Sequence, residues 1–294
     1  MSMKRKDTLG KGIALAILAA ALYAVNTPFS KLLLPYVPST LMAGFLYLGA
    51  GLCMALFALL RLLFRTRSTE EPLGKKDLPY VIAMILLDVA APICLLGGLA
   101  STAAANVSLL NNFEIVATAV IALAVFGEKI SPRLWLGIAL VTLSCVLLSW
   151  EGGASVSFSK GSLLVLLACL CWGVENNCTR RLSSKDPLMI VLLKGVFSGV
   201  GSVVIGLFLG QRVTELWAVL ATLLLGIVAY GLSIFFYVRA QRTLGAARTG
   251  AYYAVAPFIG SFLSLLFFRE IPHPLFFLAL ALMLGGAFLC AKDE

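Results

Sequence analysis

The stretch "KGSLLVLLACLCWGVENNCTRRLSSKDP", residues 160–187, repeats the design of "KGIALAILAAALYAVNTPFSKLLLPYVP", residues 11–38. Lys-Gly opens both and Pro closes both. Between them Tyr23 falls on Trp172, Asn26 on Glu175, Ser30 on Thr179 and Lys31 on Arg180. A second pair, "STAAANVSLLNNFEIVATAVIALAVFGEKISP" (101–132) and "TLGAARTGAYYAVAPFIGSFLSLLFFREIPHP" (243–274), sets Glu128 on Glu270 and Ile115 on Pro257. Each repeat holds five apolar segments. Five is odd, so the second repeat enters a membrane upside down relative to the first, an arrangement that places a binding site between the halves near the midplane.

Composition puts those segments in a bilayer. Of 294 residues 61% are hydrophobic and only 13% charged, with mean hydropathy +0.99; a soluble domain carries about 25% charged residues. The spacing predicts helical spans near 12–34, 38–62, 78–99, 103–126, 132–150, 161–182, 187–209, 214–237, 246–268 and 272–291. Each is about 20 residues, roughly 30 Å of helix, the thickness of the hydrocarbon layer. The expected fold is therefore all-α and integral to the membrane: ten transmembrane helices as two inverted five-helix repeats around a central cavity, residues 1–150 and 151–294. The opening "MSMKRKDTLGKGIALAILAAALYA" has the look of a signal peptide, but its counterpart deep in the chain makes it a retained first span.

The net charge of +9 belongs to topology rather than to nucleic acid. Of the 23 lysines and arginines, only Lys31, Lys160, Arg212 and Arg269 fall at the outer ends and only Lys194 within a span. The remainder lie in segments that the positive-inside rule assigns to the cytoplasm, which places both termini there, in a cell membrane. The seven cysteines sit in or at the ends of apolar segments and read as small packing residues. With one histidine, His273, and no thiol cluster, no metal or other cofactor is expected.

Three of the 14 acidic residues, Asp88, Glu114 and Glu175, fall inside apolar segments. Each costs about 2.5–3.5 kcal/mol at a helix centre on insertion scales. Around Glu114, helical spacing puts Ser108, Asn111, Glu114 and Thr118 on one face; Trp172, Glu175, Asn176 and Thr179 make the matching face. Tyr23, Asn26, Thr27 and Ser30 mark the first span, and Tyr252, Tyr253 and Pro257 the ninth. Such stripes face protein or water, never lipid. The plainer reading is that amides and acids only tie helices together. Asp88 has Lys194 or a tyrosine as candidate partners, and Lys194 lies about 10 Å of helix from the end of its span, within snorkelling reach. Glycines 195 and 199 permit close packing.

The two runs "NVSLLNNFEIVATAVIALAVFGEKISPRLWLGIALVTLSCVLL" and "GAARTGAYYAVAPFIGSFLSLLFFREIPHP", with "WGVENNCTRRLS", resemble the paired EamA repeats of the drug/metabolite transporter superfamily. The resemblance implies a ten-helix fold with a central cavity, usually exporting amino acids or related metabolites on a proton gradient or by exchange; importers and nucleotide-sugar exchangers share the superfamily. Where many members carry an arginine on the second helix, this chain has Phe45, and the second repeat has Lys194.

A carboxylate taken out of water holds its proton more tightly, and an ammonium competes with that proton for the same group. Glu114 or Glu175 is thus the candidate coupling group of an antiporter that exports small amine-bearing metabolites, amino acids first. Tyr23, Trp172 and Tyr253 offer aromatic faces, Asn111, Asn176 and Asn26 offer hydrogen bonds, and Asp88 and Lys194 complete the candidate set. An importer or exchanger of an organic cation such as a quaternary amine fits the same residues. A membrane enzyme or a receptor fits poorly: no catalytic constellation and no long loop is present. The expected partners are a small molecule, protons and the lipid bilayer.

Overall fold

The computed structural model describes residues 2–64, 71–126, 131–149, 159–182, 184–244, 249, 252–253, 255–269 and 274–291. Glu128, Glu270 and His273, singled out in the sequence, lie outside them. Among the described residues the chain is helical, with turns and one isolated parallel bridge between Glu71 and Lys185. The helices are α1 (Ser2–Ala24), α2 (Asn26–Leu33), α3 (Ser39–Leu63), α4 (Leu78–Ser101), α5 (Ala104–Leu110), α6 (Phe113–Phe126), α7 (Pro132–Ser149) and α8 (Lys160–Leu182). After these come α9 (Pro187–Leu193), α10 (Gly199–Phe208), α11 (Leu216–Gly226), α12 (Ser233–Leu244), α13 (Ala256–Phe268) and α14 (Pro274–Ala291).

Among the described residues seven helical stretches are long and apolar enough to cross a membrane: Gly10–Leu33, Ser39–Leu63, Lys75–Ser101, Ala104–Ile121, Lys160–Leu182, Pro187–Phe208 and Leu216–Ala240. Three shorter apolar helices, Trp135–Leu148, Ala256–Phe268 and Pro274–Leu289, are also present among the described residues. The chain is a multi-pass membrane protein.

Several spans are interrupted, each for a local reason. Pro28 has no N–H to give the Ala24 carbonyl, and the first span changes course at Val25, between α1 and α2. The fourth span, expected to be continuous, breaks at Asn111 and Asn112. The Asn112 side-chain amide donates to the Leu109 carbonyl (3.2 Å), and the Asn111 and Asn112 carbonyls accept from the Glu114 and Ile115 N–H groups in tight turns. Short amide side chains that bond their own backbone compete with the helical ladder in this way. Two wide π-helical turns, Lys194–Ser198 and Ile227–Leu232, join α9 to α10 and α11 to α12. Such turns recur where a helix is reshaped around a site.

The helices pack in matched pairs. α4 runs along α8, and α1 along α12; α6 lies on α8, and α13 on α1. Then α3 packs against α9 and α10, α5 against α13, and α7 against α14. Buried hydroxyls stitch the pairs: Ser198 donates to the Ile85 carbonyl (3.2 Å), Ser233 to Ala19 (2.8 Å), Ser261 to Ala105 (3.2 Å) and Ser144 to Ala279 (2.7 Å). At α3 the approach is closest. A Cβ on Gly199 would lie 2.8 Å from the Leu48 nitrogen, and one on Gly226 would lie 2.7 Å from the Leu46 carbonyl carbon, so glycine is required for these backbones to meet.

One end of the bundle is basic and strapped by ion pairs: Arg61 to Asp186 (2.6 Å) and Lys185 to Glu71 (3.1 Å). Asp186 also caps α9 through the Leu188 N–H (3.1 Å). At the other end Lys31 donates to the carbonyls of Leu99 (2.5 Å) and Thr102 (2.9 Å), closing the C-terminus of α4.

Candidate functional site

Interrupted helices, together with α3, α4 and α8, line a cavity whose space, open solvent included, is about 620 Å³. Thr179, Lys194 and Tyr237, which line it, all lie in the half of their spans nearer the basic end, so the cavity reaches toward that end. Of the residues picked out in the sequence, Tyr23, Asp88, Glu114, Trp172, Glu175, Asn176, Lys194 and Tyr253 line it. Asn26 and Asn111 do not. Asn26 is buried beside the break in the first span, where its Oδ1 accepts from Ser30 (3.1 Å). Asn111 forms the break in the fourth span, and the Cys169 thiol reaches its carbonyl (3.8 Å).

Three groups of side chains can be separated inside the cavity. The first is ionic. Lys194 stands at the start of the π turn, with its ammonium 2.5 Å from Glu175 Oε1 and 3.3 Å from Asp88 Oδ2. Thr179 donates to the same Glu175 oxygen, and the Tyr47 hydroxyl donates to Asp88 Oδ1 (2.7 Å). The three charged residues are 4%, 3% and 1% exposed for Lys194, Glu175 and Asp88. The snorkelling expected of Lys194 is thus corrected. With two carboxylates within bonding reach, moving the ammonium to water would strand both in a dry interior, which costs more than keeping the group paired.

The second group is Glu114, half-buried in the first turn of α6. Its Oε1 accepts from Asn176 Nδ2 at 2.6 Å, and the same amide reaches Thr118 Oγ1 at 3.3 Å. Asn177, next along α8, donates to the Thr118 carbonyl (3.2 Å) and the Gly173 carbonyl (2.8 Å), fixing α6 against α8. Among the described residues no cation pairs with Glu114. Two glutamates from helices packed on one another, α6 and α8, therefore share a cavity, Glu175 paired with a lysine that Asp88 also meets and Glu114 held by a neutral amide.

The third group is aromatic. Tyr23 packs on Tyr253 with centroids 5.8 Å apart and on Tyr230 at 6.1 Å. Tyr230 packs on Tyr47 at 5.0 Å, and Tyr237 on Tyr253 at 4.8 Å. Tyr253 and Ser233 share a hydroxyl contact at 3.5 Å. The cluster joins the ionic group, through Tyr47, to the neighbourhood of Glu114. Sequence reasoning missed Tyr47, Tyr230 and Tyr237. Tyr47 lies in "GFLYLG", a stretch already singled out for Phe45, and its position opposite Asp88 is the signal that could have found it.

No group of three or more His, Cys, Asp or Glu side chains among the described residues is placed to hold a metal. The arrangement brings three carboxylates, one committed ammonium and several ring faces to one cavity.

Comparison with known proteins adds the following. The model of the EamA-like transporter family matches residues 10–150 and again residues 159–291. An uncharacterized transporter of Methanothermobacter thermautotrophicus (strain Delta H) is 27% identical over 271 residues, 86% of this chain and 78% of that one. A solved crystal structure is alike in fold, with TM-score 0.65 and 17% identity over 95% of this chain and 96% of the other.

Proposed function

The chain belongs to the EamA-like transporter family, and we propose that it exports small amine-bearing metabolites in exchange for protons, with Glu114 as the group that trades one for the other. The observation that carries this reading is the unequal state of the two cavity glutamates. Glu175 already has Lys194 and Thr179, whereas the hydrogen-bond partner of Glu114 is the Asn176 amide. An ammonium arriving at Glu114 supplies the missing counter-charge, and a proton supplies the same neutrality when the cargo leaves. Because each excludes the other, the two gradients are coupled. Asn176 orients the carboxylate, and Tyr23, Tyr253 and Trp172 present ring faces to the cation.

The same proposal holds that ten spans form two inverted halves, residues 1–150 and 151–294, with both termini in the cytoplasm. Two features support it. The helix pairs exchange consistently when the halves are swapped: α4 on α8 answers to α12 on α1, and α6 on α8 to α13 on α1. The family model, moreover, matches once in each half. In this orientation the basic end, toward which Thr179, Lys194 and Tyr237 extend the cavity lining, faces the cytoplasm. Transporter chemistry, rather than catalysis, is what the family points to.

The test is a thermal-stabilisation screen of the purified protein in detergent with primary and quaternary amines, amino acids and organic anions at two pH values. Amine-bearing compounds are expected to stabilise the wild type more at the higher pH, and Glu114→Gln is expected to lose the effect. Stabilisation by anions alone, or equal stabilisation of wild type and Glu114→Gln, would remove Glu114 from the mechanism.

A further inference from the structure

We infer that the cargo of this cavity is an organic cation without a carboxylate, an amine in preference to the amino acid that would yield it on decarboxylation. The inference rests on the proposed exchange at Glu114 and narrows the substrate class taken there. A zwitterion has two ends to satisfy. Its ammonium can go to Glu114, but its carboxylate needs a cation or several converging N–H donors, since a buried charge without a partner is expensive.

The ionic group denies it that partner. Among the described residues that line the cavity, the cation is Lys194, and it stands between Glu175 at 2.5 Å and Asp88 at 3.3 Å. A third N–H on Lys194 could reach a cargo carboxylate only by gathering three negative charges around one ammonium, in a place where Asp88 and Glu175 are already nearly inaccessible to water. Two neutral donors are committed, the Tyr47 hydroxyl to Asp88 (2.7 Å) and the Asn176 amide to Glu114 (2.6 Å). The Tyr230 hydroxyl, which has no hydrogen-bond partner among the described residues, is a single neutral donor and does not supply the counter-charge or the converging N–H groups that a buried carboxylate needs. The described lining holds three carboxylates, Asp88, Glu114 and Glu175, against one ammonium. Such a wall attracts positive charge, and a negative end on the cargo would add to the imbalance rather than relieve it.

The tyrosines agree with this assignment and refine it. Tyr23 and Tyr253 pack on one another, with ring centroids 5.8 Å apart, which leaves no slot between them for a cation. An ammonium can lie over the cluster, on the side of Glu114, with its organic body against ring faces.

Matched pairs of probes test the inference with the purified full-length chain in detergent: phenylalanine against 2-phenylethylamine, lysine against cadaverine, and serine against ethanolamine. Dissociation constants are measured by thermal shift and calorimetry at fixed pH, with wild type and Glu114→Gln side by side. In every pair that binds, the amine is expected to bind at least tenfold more tightly than its amino acid. Asp88→Asn, which leaves Lys194 with one carboxylate, is expected to narrow that ratio by raising amino-acid affinity. An amino acid that binds wild type as tightly as its amine, with binding still lost in Glu114→Gln, overturns this inference and leaves the exchange at Glu114 standing. Binding that survives unchanged in Glu114→Gln, or no binding by any pair, overturns both.

Discussion

Glu175 and Glu114 occupy neighbouring helices and face one cavity, yet the protein holds them in opposite ways. Glu175 is closed in by a lysine, a threonine and the adjacent aspartate, so its charge is part of the packing. Glu114 is half-buried and rests on an amide, and in the proposed exchange its charge is left for something that arrives from outside. The difference teaches that cost alone does not mark a functional acid inside a membrane. What marks it is an incomplete set of partners.

Four substitutions probe that difference, and the largest effect belongs to the lysine. Lys194→Met leaves Asp88 and Glu175 buried without a counter-charge, and a loss of about 3–5 kcal/mol is expected. It would appear as a sharp drop in the folded fraction on size-exclusion chromatography, and adding Asp88→Asn and Glu175→Gln to the same chain should recover much of it. Glu175→Gln is next: Lys194 keeps Asp88, Thr179 keeps an oxygen, and a loss of about 1–3 kcal/mol is expected from thermal melts. A melt unchanged from wild type would show that the ionic group is not structural.

Asn176→Ala removes the bond that ties α8 to Glu114. A cost of about 1 kcal/mol is expected, together with weaker amine binding, because the carboxylate loses its orientation. Glu114→Gln is expected to change stability least, by less than about 1 kcal/mol, since an amide can keep a bond to Asn176. If its melt instead fell as far as that of Lys194→Met, the two glutamates would be alike and the contrast would collapse.

Much of the fold was legible in the sequence because lipid imposes simple rules. Apolar segments of about 20 residues must be helices, and charges within them stand out. Asp88, Glu114, Glu175 and Lys194 were visible for that reason, as was the pairing of Asp88 with a lysine or a tyrosine. What escaped was local backbone geometry. The break at Asn111 and Asn112 is made by a side-chain amide and tight turns, and the wide turns at Lys194–Ser198 and Ile227–Leu232 lie where Gly195, Gly199 and Gly226 bring α3 close. A π turn rotates everything after it relative to an α-helical count, so the inward positions of Tyr230 and Tyr237 do not follow from spacing. Asn26 and Asn111 lie at helix breaks rather than in the cavity lining, which helical spacing alone does not reveal.

The exchange at Glu114 is tested most directly by proton release on binding. Purified protein in weakly buffered detergent with a pH-sensitive dye is mixed with 2-phenylethylamine or cadaverine at a pH where the free amine's own protonation is matched by a protein-free control. Wild type is expected to release protons in a saturable way that follows amine occupancy, and Glu114→Gln, although folded, is expected to release none. Equal release from both proteins, or saturable binding to the wild type with no proton released, would contradict the account.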